Sequence, residues 1–173
     1  MVAQAQETLS DFFQFDFKVA DVQHLPFADK TFDIVIANMM LYHVLNLAQA
    51  LGEIHRVLKN GGRLYAATFG NQGAMETIHD WLGLPMCSDY PFVLQNGQEI
   101  LMSYFSEVQK EEFEDSFWVT NLDDLVTYVA SFRGIYSLED WTDQDLIDVF
   151  ATHQVAGGIR LQRLWSFYRK EIV

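Results

Sequence analysis

The sequence predicts an α/β fold in which helices flank an open sheet whose central unit is parallel. Residues 32–37 form a short apolar run with three consecutive β-branched residues, which is typical of a strand buried on both faces of a parallel sheet. A helical pattern follows, and residues 64–69 read as the next strand. Because a strand, a crossover helix and a second strand form a right-handed unit, we expect the two strands to be parallel.

The crossover helix is predicted to begin near Asn46 and to end at Gly61 and Gly62. Its apolar residues are spaced by four, three and four positions, which places them on one face of the helix: Leu47, Leu51, Ile54 and Leu58. That face would pack on the sheet.

The segment before this unit predicts two further elements. Residues 1–14 suit a short amphipathic helix, and apolar residues alternate with Asp16, Lys18 and Ala20 over residues 15–20. This alternation predicts an edge strand that is half buried.

The distal half predicts a helix over 74–82, strand material over 105–119, a helix capped by Thr120 or Asn121, and a helix reaching residue 153. Residues 159–172 form a closing strand that pairs with the strand before it. Residues 83–104 show no clear pattern and suggest a lid or substrate-side insertion. We expect a single domain over 1–173. The large aromatic residues of this half are expected to pack in the core rather than to line a pocket: Trp118, Tyr128, Trp141 and Trp165.

Composition excludes several classes of function. The chain has 173 residues and a formal net charge of −13, so nucleic acid and anionic membrane surfaces would repel it. No run of 18 apolar residues and no signal pattern is present, which favours a cytoplasmic protein without a membrane span. Cys87 is the single cysteine, and the five histidines lack paired ligand spacing, so we expect no metal site.

Ligands of open α/β sheets bind at the carboxyl ends of the parallel strands, which points to the loops that begin at Asp21 and Asn38. Asp21 could accept a hydrogen bond from an exocyclic amine, and the backbone of Val22 could donate to a ring nitrogen, as an adenine edge requires. An Asx-turn that merely stabilises the loop explains Asp21 equally well.

Two blocks of the sequence resemble the middle of a class I S-adenosylmethionine-dependent methyltransferase of the small-molecule type. They are ADVQHLPFADKTFDIVIANMMLYHV and EIHRVLKNGGRLYAATF, and the distal stretches TNLDDLVTYVASF and GGIRLQRLWSFYRKEI are similar to that family as well. The resemblance implies a Rossmann-like sheet with helices on both faces and a C-terminal antiparallel strand pair. It also implies S-adenosylmethionine as cofactor and a small-molecule acceptor.

Residue by residue, the resemblance places the adenine contacts at Asp21, Val22 and Gln23. It places the methionine end of the cofactor against the loop that contains Asn38, Met39 and Met40. His43 follows that loop, where it would face substrate as a candidate catalytic base; a capping or packing role at the helix entry is equally open.

The sequence departs from the family at its start. The family opens with a strand, a Gly-x-Gly loop, a helix and an acidic strand end, whereas this sequence has no Gly-x-Gly and its first glycine is Gly52. Residues 1–9 resemble the helix that follows the family's second strand. We therefore expect a sheet that is incomplete in its N-terminal half and a cofactor site of which one wall is present.

Such a sheet would leave the strand over 32–37 with an open edge, and open edges recruit other strands. We expect a homodimer through this edge or a rearranged sheet in which residues 15–20 pair with it. Two functions follow: methyl transfer to a small acceptor, or a non-catalytic α/β domain that oligomerises or completes another chain's site.

Overall fold

A computed structural model describes residues 2–12, 14–71, 73–85, 90–134 and 138–171. Over these residues the strands form one mixed sheet in the order β1-β2-β4-β3. The strands are β1 Phe32–Asn38, β2 Leu58–Phe69, β3 Val108–Val119 and β4 Ile159–Glu171. The helices are α1 Val2–Thr8, α2 Leu47–Val57, α3 Ala74–Leu82, α4 Gly97–Met102, α5 Leu122–Ala130 and α6 Asp143–Thr152.

The predicted strand–helix–strand unit is confirmed. β1 and β2 are parallel, with Asn38 opposite Ala67 at their carboxyl ends. Asn46 caps α2, since its side-chain oxygen accepts a hydrogen bond from the backbone N–H of Gln49 at 3.1 Å. The unit therefore brings the ends of both strands to one edge of the sheet.

The predicted end of the crossover helix is wrong. α2 ends at Val57, and β2 already begins at Leu58, which lies opposite Phe32. The register then shifts, so that Arg63 lies opposite Ile34, and Gly61 adopts a φ of 77° in the extra length of β2. The glycine accommodates a bulge in the strand, where left-handed backbone is required, instead of ending the helix.

The C-terminal antiparallel pair is confirmed. β4 is antiparallel to both β2 and β3, and its pairing with β3 runs from Val119 opposite Ile159 to Val108 opposite Lys170. α3 has the predicted bounds, and Asn121 caps α5 by accepting a hydrogen bond from the backbone N–H of Asp123. The architecture is thus the mixed α/β fold that the sequence predicted.

The predicted strand over residues 15–20 is wrong: these residues form no strand and do not pair with β1. Phe15 contacts the neighbouring rings of Phe12 and Phe17, each at a centroid distance of 6.1 Å, and Val19 is exposed. Alternation of apolar residues is compatible with a strand, but a strand also requires a partner for its backbone and side chains. The rearranged sheet in which this segment pairs with β1 is therefore not what the chain adopts.

β1 is consequently an edge strand. Ile34 and Ile36 are 50% and 71% exposed, so the expected burial on both faces of this strand is wrong as well. Among the described strands only β2 pairs with it. One edge of the sheet thus carries unpaired backbone groups and apolar side chains.

Two apolar clusters make up the core. The first joins β1 and β2 to α2 and α4 and includes the fully buried Leu51, Phe92 and Tyr168. The second joins α3, α5 and α6 to the beginning of β4, around Phe150 and Ile159. No helix in the described ranges is long and apolar enough to span a membrane.

Part of the segment 83–104 belongs to this core, because Phe92 and Leu101 are buried in the first cluster. The role of the segment as a lid stays a prediction. Cys87 lies outside the described residues.

Candidate functional site

A tight turn over residues 21–24 follows the extended segment. The backbone N–H of His24 donates to the carbonyl oxygen of Asp21 at 3.0 Å, and the Asp21 carboxylate accepts from the backbone N–H of Gln23 at 2.8 Å. The second contact forms an Asx-turn, which is one of the two roles that the sequence allowed for Asp21. The turn holds the Asp21 carboxylate at the surface, where it is exposed to solvent.

The pKa of Asp21 lies below its ordinary value. The backbone N–H of Gln23 is the main cause, and the side-chain amide of Gln23, which donates to both carboxylate oxygens at 3.2 Å, is the second. These bonds stabilise the ionised form. A carboxylate offers about four lone-pair positions, so Asp21 retains capacity for a further donor such as an exocyclic amine.

The turn is tied to the amino end of α2. The side-chain oxygen of Gln23 accepts a hydrogen bond from the backbone N–H of Asn46 at 2.9 Å, and Gln49 on the first turn of α2 contacts the ring of His24 at 2.8 Å. Val22 packs against the first core cluster. The adenine-side residues predicted from the sequence therefore form one fixed unit beside α2.

The chain leaves β1 through a strained position. Met39 has a φ of 50°, which is unusual for a residue other than glycine, and its N–H donates to the carbonyl oxygen of Ala67 at 3.0 Å. A short 3₁₀ helix, Leu41–His43, follows, anchored by the fully buried Leu41. Strain of this kind is often stored where the backbone must present a group to a ligand.

A cavity of about 560 Å³ opens at this point, at the carboxyl ends of β1 and β2. Ligand pockets of proteins usually have volumes of about 300–1,000 Å³. The loop after β2, the amino half of α3 and residues from β3, α5 and β4 enclose it. Its aromatic lining residues are Tyr42, Phe69, Tyr90, Phe117, Tyr128 and Phe132.

Three of these rings form one wall. Phe69 lies edge to face with Tyr42 and Tyr90, at centroid distances of 4.6 and 5.0 Å. Burial raises the pKa of Tyr42, with a smaller contribution from the nearby hydroxyl of Tyr90. The Tyr42 phenol is therefore un-ionised near neutral pH and can donate a hydrogen bond.

The cavity lining also contains one arginine whose charge is paired. The Arg163 guanidinium donates to both carboxylate oxygens of Asp115, through Nε at 2.7 Å and through a second nitrogen, and it lies 4.8 Å from the ring centroid of Phe117. These hydrogen bonds hold the pKa of Asp115 below its ordinary value. The cation in the cavity wall is thus already paired.

The cavity brings together some of the predicted site residues and not others. Met39 and His43 line it, whereas the remaining predicted cofactor contacts are outside its lining: Asp21, Val22, Gln23, Asn38 and Met40. His43 is exposed, and its ring lies 4.2 Å from that of Tyr42.

Sequence reasoning missed most of the lining. Tyr128 is 44% exposed in the cavity and Trp118 is 49% exposed, so the expectation that both pack in the core is wrong. The lining residues come from six separate segments of the chain, which no local sequence pattern connects. The aromatic fraction of 14% was a signal in the sequence. Few of these aromatic side chains are buried in the described core, so the others must lie at the surface or line a cavity.

Residues 1–66 match the family described as "Methyltransferase domain". Among curated proteins, the chain is 48% identical over 50 residues to the ubiquinone/menaquinone biosynthesis C-methyltransferase UbiE of Haemophilus ducreyi, which is 29% of this chain and 19% of that protein. The chain thus matches about a fifth of the length of this relative.

Solved structures extend the likeness over almost the whole chain. The protein BH2331 of Bacillus halodurans superposes with a TM-score of 0.65 at 15% identity, covering 98% of this chain and 78% of that one. A phosphoethanolamine N-methyltransferase of Haemonchus contortus, solved with S-adenosylhomocysteine, gives a TM-score of 0.53 at 16% identity, covering 99% and 41%.

The fold is of the Rossmann-like α/β type that these solved structures share, with a mixed sheet flanked by helices. The matched domain and the structural neighbours together confirm the resemblance of the chain to the class I S-adenosylmethionine-dependent methyltransferases. One of these neighbours, the Haemonchus contortus enzyme, was solved in complex with S-adenosylhomocysteine, the demethylated product of S-adenosylmethionine.

Proposed function

We propose that the chain contributes to methyl transfer from S-adenosylmethionine to a small-molecule acceptor. The observation that carries the proposal is the cavity of about 560 Å³ at the carboxyl ends of β1 and β2, because this is where open α/β sheets bind their ligands. The matched domain supports the reaction type.

The residues present fit part of the cofactor. Asp21 offers an ionised, exposed carboxylate for the adenine amine, and Val22 and Gln23 lie beside it in the same fixed turn. Asn38, Met39 and Met40 lead from β1 towards the cavity and would meet the methionine end. For the ribose and the amino-acid carboxylate we assign no residue, because the sequence has no Gly-x-Gly loop.

In the reaction, the residues of this chain would hold the acceptor in line with the methyl group and would accept a proton from it. S-adenosylmethionine supplies an electrophilic methyl group on sulfur, so transfer needs the acceptor in line with that group and, for a weak nucleophile, a base. His43 lines the cavity and is exposed, which gives it access to an acceptor proton. We therefore propose His43 as the base.

Calorimetric titration with S-adenosylhomocysteine tests the cofactor part of this proposal. We expect the chain to bind it and the substitution Asp21→Ala to weaken binding about tenfold, since a hydrogen bond to a charged group is lost. Asp16→Ala is the matched control, because Asp16 is an exposed carboxylate that pairs with Lys18 outside the turn. Absence of binding at millimolar ligand, or an equal effect of both substitutions, contradicts the proposal.

The open edge of β1 supports a second candidate function, that of an oligomerising domain which completes a site with another chain. We propose a second copy of this chain as the partner. Two β1 strands related by a twofold axis would pair antiparallel and join two sheets, and Ile34 and Ile36 would be covered in the process.

Light scattering tests the dimer. The native chain should show twice the 20.0 kDa mass of one chain, and Ile36→Lys should shift it to one chain, because a charge is placed on the pairing edge. Leu45→Lys is the control, since Leu45 is 97% exposed and lies outside the sheet. A native mass of 20.0 kDa, or dissociation by the control alone, overturns the dimer.

A further inference from the structure

We infer that the cavity beside Tyr42 and Phe69 takes an uncharged acceptor with an extended aromatic ring system. That this ligand is the methyl acceptor rests on the proposed function. The binding preference itself follows from the residues of the cavity wall.

The size of the cavity favours a ligand larger than a single amino acid or simple amine. A volume of about 560 Å³ lies in the middle of the range of drug-sized ligand pockets. A fused ring system with its substituents, together with the methionine end of the cofactor beside Met39, would fill such a space, whereas a small amine would leave much of it to water.

The wall favours flat rings over saturated ones. Phe117 and Tyr128 are 43% and 44% exposed, and both line the cavity. In the same lining, the edge-to-face group of Tyr42, Phe69 and Tyr90 is only partly buried. Aromatic pairs gain energy beyond their buried area through their quadrupoles, so a ligand ring placed among these residues gains more than a saturated ring of equal size.

The charges of the wall disfavour an anionic ligand. Arg163 is the arginine of the lining, and its guanidinium is held by Asp115 and stacked on Phe117. A carboxylate or phosphate would therefore meet a guanidinium whose positive charge Asp115 already compensates. The bidentate pair presents a neutral surface to the cavity.

Glu76 also lines the cavity, and its carboxylate is the group of the lining that could pair with a cationic ligand. Glu76 lies on the first turn of α3, where the partial positive charge of the helix end already offsets its charge. The tyrosine phenol of Tyr42 stays protonated and offers a donor rather than a charge. These features favour a neutral ligand with a hydrogen-bond acceptor.

Titration of the whole chain with four matched probes, without cofactor, tests the inference. The probes are 2-naphthol, its saturated analogue decahydro-2-naphthol, the anion 2-naphthoate and the cation 2-naphthylmethylammonium. We expect 2-naphthol to bind about tenfold more tightly than each of the others. Equal binding of the saturated alcohol, or tighter binding of either ion, overturns the inference.

Variants localise the effect. Phe69→Leu should weaken 2-naphthol about tenfold and leave decahydro-2-naphthol nearly unchanged, because leucine keeps apolar area but has no ring. Phe15→Leu, outside the cavity, should change neither. Should circular dichroism show that Phe69→Leu fails to fold, Phe117→Leu replaces it, since its exposed ring contributes less to the core. The assignment of the aromatic ligand to this cavity is overturned if Phe15→Leu loses the preference for 2-naphthol over decahydro-2-naphthol, or if the cavity variant keeps it.

Parallel titration with S-adenosylhomocysteine separates the two proposals. Cofactor binding without preference for 2-naphthol overturns the aromatic acceptor and leaves methyl transfer standing. Preference for 2-naphthol without cofactor binding overturns methyl transfer and supports the aromatic site.

Discussion

The side-chain oxygen of Gln23 accepts a hydrogen bond from the backbone N–H of Asn46 at 2.9 Å, across 23 positions of the chain. The same side chain donates through its nitrogen to Asp21. One residue thus couples the turn that carries Asp21 to the residue that caps α2. Because the described residues before this turn form no strand, the position of Asp21 depends on the helix rather than on the sheet.

Gln23→Ala should therefore loosen the turn and raise the pKa of Asp21. The rise should be partial, because the backbone N–H of residue 23, the main cause of the low pKa, remains. Titration of the Asp21 carboxyl carbon by NMR measures it. Gln154→Ala, far from the turn in sequence and exposed, serves as the control. An unchanged pKa of Asp21 in Gln23→Ala contradicts the coupling.

Asn46→Ala should lower the free energy of unfolding by about 1 kcal/mol, because the first turn of α2 loses its cap. Asn46→Asp retains an acceptor oxygen and should keep most of the stability. Urea denaturation measures both changes. A loss of equal size in the two variants would show that the bond from Gln49 to Asn46 does not stabilise the helix.

Glu53 should make stability depend on pH in the acid range. Its carboxylate accepts two hydrogen bonds from Arg56 and one from the backbone N–H of Leu25, which lowers its pKa from 4.5 to about 2, with Arg56 as the main cause. A lowered folded-state pKa contributes stability that is complete above 4.5 and is lost as the pH falls towards about 2.

Glu53→Gln should flatten the decline of the free energy of unfolding between those two pH values. Denaturation at a series of pH values measures the slope, with Glu7→Gln on the exposed face of α1 as control. If both variants decline as steeply as the native chain, the contacts of Glu53 do not set the acid stability.

Two glycine substitutions should have opposite effects. A Cβ on Gly97 would lie 2.6 Å from the hydroxyl oxygen of the buried Tyr168, so Gly97→Ala should destabilise the fold by about 1–3 kcal/mol. Gly52 lies within α2 with nothing within 4 Å of such an atom, so Gly52→Ala should stabilise by about 0.5–1 kcal/mol. Thermal melting compares them, and destabilisation by Gly52→Ala contradicts the open space beside α2.

Elements with a local signature were predicted well. β1, the cap of α2, the bounds of α3 and the antiparallel strand pair follow from periodicity and capping residues, which depend on neighbours in sequence. The start of β2 was missed, because a bulge at Gly61 replaces the expected helix end, and glycine serves both purposes. Residues 15–20 show the limit of alternation, since their pattern is that of a strand while their backbone has no strand beside it.

The candidate site divides in the same way. The sequence by itself determined the turn of Asp21, the end of β1 and the type of fold, because hydrogen bonds between near neighbours and the strand–helix–strand order decide them. Only the tertiary structure decided the cavity, because Tyr42, Phe69, Tyr90, Phe117 and Tyr128 are far apart in the chain and meet through sheet order and helix packing. It also decided that Arg163 is paired with Asp115, 48 positions away across two antiparallel strands. Long-range register, which no local pattern encodes, sets the character of the site.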